Sequence, residues 1–136
     1  MIKKLTYSVY NDEGTEHKDY IVKNPTWNEI ENIIRKLDRF HNPLIILDLT
    51  DNEDENMMMI TGGNELYHIS VQVNSIFWVL FFENKSSEIK QVWESDQGFE
   101  CEDFYLIEDL KDILKIAKYY FEFNKMHEDY NWIEND

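Results

Sequence analysis

Two runs of carboxylates are the residues best suited to act on another molecule. The first is Asp51, Glu53, Asp54 and Glu55, inside a stretch from 51 to 56 that holds no base. The second is Glu94, Asp96, Glu100, Glu102 and Asp103, which leads on to Glu108, Asp109 and Asp112 with only Lys111 opposed. Such groups can bind a cation, share a proton in acid–base catalysis, or present a negative face to a positive partner. Spacing tests the first use. A calcium loop needs Gly at its sixth place and Glu at its twelfth. Counted from Asp51 those places hold Asn56 and Gly62, so the stretch reads as an exposed acidic hairpin instead. For the second use, two carboxylates must meet in one cleft, and among 28 acidic residues a possible pair is uninformative. The third use remains. Glu108, Asp109 and Asp112 have a structural cause, because they open a helix whose dipole favours acids there. The five acids before them have no such cause. Trp93, beside Glu94, can anchor a cationic surface or simply pack a sheet edge. Trp132, just before Ile133 and Glu134, is read first as a pin for the C-terminal tail.

Other chemistries lack their residues. His17, His41, His68 and His127 show no pair at metal-ligand spacing, so no zinc site is expected. The run Thr61-Gly62-Gly63-Asn64 lacks the Lys and the helix of a phosphate loop. No serine sits in a nucleophile elbow. Cys101 is the only cysteine, which rules out an intramolecular disulfide and suits a reducing compartment. Glu100, Glu102 and Asp103 around it would raise its pKa, the opposite of what a nucleophile needs. The expectation is therefore no enzyme activity, no cofactor and no metal. The N-terminus lacks the apolar core of a signal peptide, and no run is long enough to cross a bilayer as a helix, so a cytoplasmic protein is expected. With 28 Asp and Glu against 13 Lys and Arg, the formal charge is −15. That excess disfavours nucleic acid and anionic lipid as partners. It favours a basic protein and speeds the encounter with one, unless it serves solubility alone.

These groups must be held by a folded body, and 136 residues with 43% hydrophobic and 15% aromatic content fit one domain, 1–136. The stretch 75–83 is its most apolar part. Alternation puts Phe77, Val79 and Phe81 on one face and Ile76, Trp78, Leu80 and Phe82 on the other. A strand apolar on both faces belongs in mid-sheet, with Trp78 in the core. Residues 5–10 and 20–22 read as a hairpin across the turn Asn11 to Gly14. Thr26 and Glu29 have capping-box spacing ahead of a stripe at Ile30, Ile33, Ile34 and Leu37. Arg35, Lys36 and Arg39 suit that helix's last turns, and His41-Asn42-Pro43 ends it. Strands at 44–49, 57–61, 66–73, 75–83 and 89–93 read as an antiparallel meander, with a tight turn at Gly62-Gly63-Asn64. In 66–73, Tyr67, Ile69, Val71 and Val73 face in, and His68, Ser70 and Gln72 face out. A second helix carries Leu110, Ile113, Leu114, Ala117 and Phe121 as its stripe, with Lys111, Lys115 and Lys118 outside. The expected fold is α+β: an antiparallel meander sheet of about six or seven strands, packed by two helices at about 26–40 and 107–123.

The C-terminal stretch Ala117-Lys118-Tyr119-Tyr120-Phe121-Glu122-Phe123-Asn124, running on to Trp132-Ile133-Glu134, resembles the ending of the Imm1 family of bacterial immunity proteins. That family closes an amphipathic helix with an aromatic pair, a Thr-Gly turn, a proline and then a Trp. Here Tyr120-Phe121 match the pair and Trp132 the tryptophan. Asn124 stands where Gly is frequent, and Asn is the next-best residue for a left-handed helix end. His127 stands where the proline is expected, a departure. The likeness covers about 26 to 134, including the order helix, strand, acidic loop, Met57 to Thr61, Gly-Gly and apolar strand. It implies an antidote to a polymorphic or contact-dependent toxin, a nuclease or nucleic-acid deaminase, inhibited by tight binding without catalysis or cofactor. A nuclease cleft is basic, and an acidic protein can occupy it as nucleic acid would. The candidate contacts are Asp51, Glu53, Asp54, Glu55, Glu94, Asp96, Glu100, Glu102 and Asp103, with Trp93 as anchor. The other class that fits is an acidic adaptor or nucleic-acid mimic regulating a basic DNA-binding protein.

Overall fold

The structure, a computed structural model, describes residues 1–51 and 55–135. In chain order its elements are β1 (Lys4–Tyr10), β2 (His17–Lys23), α1 (Trp27–Arg35), β3 (Leu44–Asp48), β4 (Asn56–Gly63) and β5 (Leu66–Val73). There follow β6 (Ile76–Leu80), β7 (Ile89–Trp93), β8 (Phe99–Glu102), β9 (Leu106–Ile107), α2 (Leu110–Phe123) and β10 (Trp132–Glu134). The main sheet runs β2-β1-β3-β4-β5-β6-β10, with β9 also on β5, and every pairing in it is antiparallel. The fold is α+β, with β3 to β6 as a meander.

Period-two alternation decides what each face carries. Leu5, Leu47, Met58 and Val71 are cross-strand neighbours on one face, and Ile45, Ile60 and Ile69 line up beside them. That face is fully buried under Ile30 and Ile34 of α1 and Ile113, Ile116, Ala117 and Tyr120 of α2. The capping box forms as its spacing requires. Glu29 N–H donates to Thr26 Oγ1 at 3.2 Å, and Thr26 N–H donates to Glu29 Oε1 at 2.9 Å. At the other end of the helical layer, Asn124 takes the left-handed conformation (φ 57°) and ends α2. On the sheet's opposite face a smaller cluster of Leu66, Val92, Cys101 and Leu106 seats the β7–β8 hairpin. Helices, sheet and hairpin thus make three layers.

Several boundaries differ from the expectation, each for a local reason. α1 stops at Arg35 rather than 40 because Asp38 offers the backbone other partners. Its carboxylate accepts from the N–H groups of Phe40 (3.0 Å) and Asn42 (2.7 Å), and Arg39 turns left-handed (φ 70°). α2 begins at Leu110 rather than 107, since Leu106 and Ile107 pair with His68 and Tyr67 and Asp109 caps the helix. Its buried stripe includes Ile116 and Tyr120, while Leu110, Leu114 and Phe121 are half-buried. Gly62 and Gly63 belong to β4, and the turn falls on Asn64 and Glu65, both at positive φ. Gly63 is needed there for contact rather than for turning: a Cβ would strike the backbone of Leu37 and Asp38, which crosses the strand end.

The apolar strand is displaced from mid-sheet. β6 lies next to the three-residue edge strand β10, so Trp78 is half-buried, and Ile76 and Phe77 are 45% and 40% exposed. The segment at 89–93 does not extend the meander. It pairs with β8 in a separate two-stranded sheet, and the C-terminal strand takes the place beside β6. Periodicity marks a strand without naming its neighbour. Among the described residues, no helix is long and apolar enough to cross a membrane.

Candidate functional site

The β7–β8 hairpin carries most of the second acidic run, and its seat is specific. Glu94 N–H donates to Arg39 O at 2.8 Å, and Arg39 N–H donates to Gly62 O at 3.0 Å. Asp96 N–H donates to Gly14 O at 2.6 Å, which ties the hairpin tip to the β1–β2 turn. Trp93 is half-buried. Its Nε1–H donates to Ser95 Oγ at 2.8 Å, and its ring meets Tyr10 edge-on at 5.9 Å. The indole is therefore held by its own chain.

Not all the acids are equally available. Glu94 pairs with Arg39 at 3.6 Å. Asp96 accepts from Tyr10 Oη–H at 3.3 Å, and burial together with this carboxylate raises the Tyr10 pKa. Asp103 faces Lys90 at 2.9 Å, and that ammonium holds its carboxyl below the usual range. Glu100 and Glu102 have no ion pair among the described residues. They sit on β8, opposite Gln91 and Ile89. The whole segment from 88 to 103 carries Glu88, Glu94, Asp96, Glu100, Glu102 and Asp103 against Lys90 alone. By contrast, α2 exposes Lys111, Lys115 and Lys118 on the opposite layer. The helical layer is mixed rather than positive, since α1 carries Glu29 and Glu31, α2 carries Asp112 and Glu122, and Lys115 pairs with Asp129 at 3.2 Å.

The first acidic run is elsewhere. Asp51 and Glu55 are exposed at the β3–β4 end of the sheet, where Ser75 N–H donates to Glu55 O at 3.0 Å. Glu53 and Asp54 lie outside the described residues. Glu55 precedes β4, whereas the hairpin docks beside Gly62 near its far end. At roughly 3.3 Å per residue the strand puts about 20 Å between Glu55 and the point where Glu94 docks. The fold brings Trp93 and the second run together and keeps the first run apart.

Between hairpin and sheet lies a cleft of about 660 Å³ that sequence reasoning missed. Its floor is the face of β4 and β5 carrying Met59, Thr61, His68 and Ser70, and its mouth holds Phe77, Phe99 and Glu102. The alternation that set His68, Ser70 and Gln72 against the helices was legible. Their burial was not, because a second layer covers them: they are 8%, 5% and 6% exposed. The available signal was the apolar set Val92, Phe99 and Leu106, which needs a face to pack against. Burial pushes the His68 imidazole down to about 4, and it meets the Phe99 ring edge-on at 5.2 Å. Burial, and then Glu102, pushes the Cys101 thiol up to about 11, so the expected direction holds with burial as the larger cause.

Among the described residues, the nearest approach to a nucleophile–base arrangement is Ser8, Asp19 and His17. Ser8 Oγ–H donates to Asp19 Oδ1 at 2.7 Å, and His17 Nε2 lies 3.4 Å from the same oxygen. The carboxylate stands between hydroxyl and imidazole, so the histidine cannot take the serine proton as a triad requires. Compared with protein-family models and with curated protein sequences, the chain matches none.

Proposed function

We propose that this protein is an immunity protein that neutralises a basic bacterial toxin domain, a nuclease or nucleic-acid deaminase, by stoichiometric occlusion of its active site or substrate groove. The reading starts from the Imm1-like ending, and one observation carries it further. The segment 88–103 concentrates six carboxylates against Lys90, on the layer opposite the lysines of α2. A dense negative segment on a strongly acidic body complements a phosphate-binding cleft and steers association with it. The protein needs no chemistry, cofactor or membrane for this, and it would act in the cytoplasm, where such toxins reach their substrates.

The test uses the product of the adjacent gene. We expect a 1:1 complex that abolishes toxin activity, with an association rate that falls as salt rises. Charge reversal at Glu100 and Glu102 (E100K/E102K) should slow association at low salt by tenfold or more, because neither carboxylate has an ion pair among the described residues. Asp103 is left out of this variant, since its removal would also strand Lys90. An adjacent product that does not bind, or rates indifferent to the reversal, would count against the reading.

A further inference from the structure

We infer that the cleft between the β7–β8 hairpin and the sheet is a socket for one aromatic side chain with a polar hydrogen, a tryptophan or tyrosine, presented on a basic segment of the partner. Three observations converge on this occupant. First, size and lining fit an organic group: about 660 Å³, mostly apolar and aromatic, within the roughly 300–1,000 Å³ usual for ligand pockets. Phe77 and Phe99, 40% and 38% exposed, stand together at the mouth and offer apolar surface to an occupant.

Second, the floor asks for a hydrogen bond. Thr61 and Ser70 are 4% and 5% exposed and line the cleft, and Thr61 Oγ1 and Ser70 Oγ have no hydrogen-bond partner. A buried hydroxyl without a partner has given up its bonds to water for nothing in return. A purely aliphatic occupant would leave that loss in place, whereas an indole N–H or a phenol O–H can bond to one of these oxygens once the Thr61 or Ser70 side chain turns toward the cleft, since both oxygens are themselves buried. A charged group is disfavoured because the floor holds no counter-ion and His68 is held neutral by burial.

Third, the rim is negative. Glu102 lines the mouth, Glu100 stands two residues back on the same strand, and neither has an ion pair among the described residues. Lysine or arginine on either side of the aromatic would meet them. A buried aromatic anchor is the residue type that concentrates binding energy at protein interfaces, and rim charges select the partner and speed its arrival. This socket deepens the immunity reading, on which its partner rests, but it can be probed without any toxin.

The probe is the amidated peptide Lys-Trp-Lys, titrated to millimolar concentration against the full chain and followed by NMR of the His68 and Trp93 rings. Saturable shifts at both rings are expected, at least tenfold weaker with Glu-Trp-Glu. They should be lost in Ser70→Leu, which fills the floor. Because that buried change could disturb folding, Phe77→Arg is the second variant: it alters an exposed residue, sets a cation at the mouth, and should weaken Lys-Trp-Lys tenfold or more. Absence of shifts at these rings, or shifts that persist in both folded variants, overturns the socket. Equal binding of Glu-Trp-Glu, or of free indole, would mark a site for neutral small molecules and also overturns it. Should the toxin bind with unchanged affinity to both folded variants, the socket falls while the immunity reading stands. Should the peptide bind as described and the toxin not at all, the immunity reading falls alone.

Discussion

His68 shows how a single position joins fold, energetics and site. It sits opposite Thr61 in the β4–β5 ladder, and the hairpin above it removes its imidazole from water. Its pKa in the folded protein is about 4, against an ordinary 6.5. The unfolded chain therefore takes up a proton near pH 6.5 that the native protein refuses until about pH 4. Stability from this residue is complete above pH 6.5 and falls as pH drops, by about 1.4 kcal/mol per unit. From pH 6.5 to 5 the loss is about 2 kcal/mol, and His68→Gln should remove that slope. The check is urea unfolding of both proteins across the window, and parallel pH curves would refute the assignment. Local rules were readable at this scale: the Thr26–Glu29 box and the left-handed Asn124 depend on neighbours a few residues away, and both form. The orphaned hydroxyls of Thr61 and Ser70 were not readable, because they depend on what lies across the sheet.

Among the elements, β10 and the β7–β8 hairpin do the most to shape the candidate surface. β10 is three residues long, yet it covers β6 at Trp78, Val79 and Leu80. Trp132 fastens it, packing on the main core and donating from Nε1 to His127 O at 3.0 Å. The expectation that Trp132 pins the tail describes this contact. Trp132→Ala should cost about 2–3 kcal/mol, short of the ~3–5 for a fully buried aromatic because the ring is half-exposed. It should also speed amide exchange at Val79, where β10 is the outer neighbour of β6, and protection left unchanged at Val79 would argue that β10 does not hold the edge. The hairpin illustrates the limit of pattern reading. Residues 89–93 do form a strand, but they leave the main sheet to pair with 99–102, and the C-terminal strand holds the place beside β6. Likewise α1 had apolar spacing to Leu37, yet Asp38 and the crossing over Gly63 end it at Arg35.

For the whole molecule, the two acidic runs act at different distances from any one partner. Asp51 and Glu55 lie at the end of β4 away from the docking point of Glu94, about 20 Å from it, beyond the ~8–10 Å Debye length of physiological salt. If a basic partner seats on the hairpin side, Asp51 and Glu55 guide it without touching it. Asp51→Lys with Glu55→Lys should then slow association several-fold at low salt, do little at physiological salt, and leave the dissociation rate alone. Stopped-flow and surface-binding kinetics separate these, and a faster dissociation would move the contact to the β3–β4 end. Composition alone settled that the chain is strongly acidic, and its alternating and helical periods settled that it is an α+β body with an antiparallel meander. Those properties follow from each residue's own chemistry and its near neighbours. Tertiary structure decided which strand β7 joins, that the polar row of β5 is roofed over, which carboxylates are already paired, and that a cleft opens beneath the hairpin. Each of these turns on residues far apart in the chain competing for one place in space, and no local pattern records the outcome of that competition.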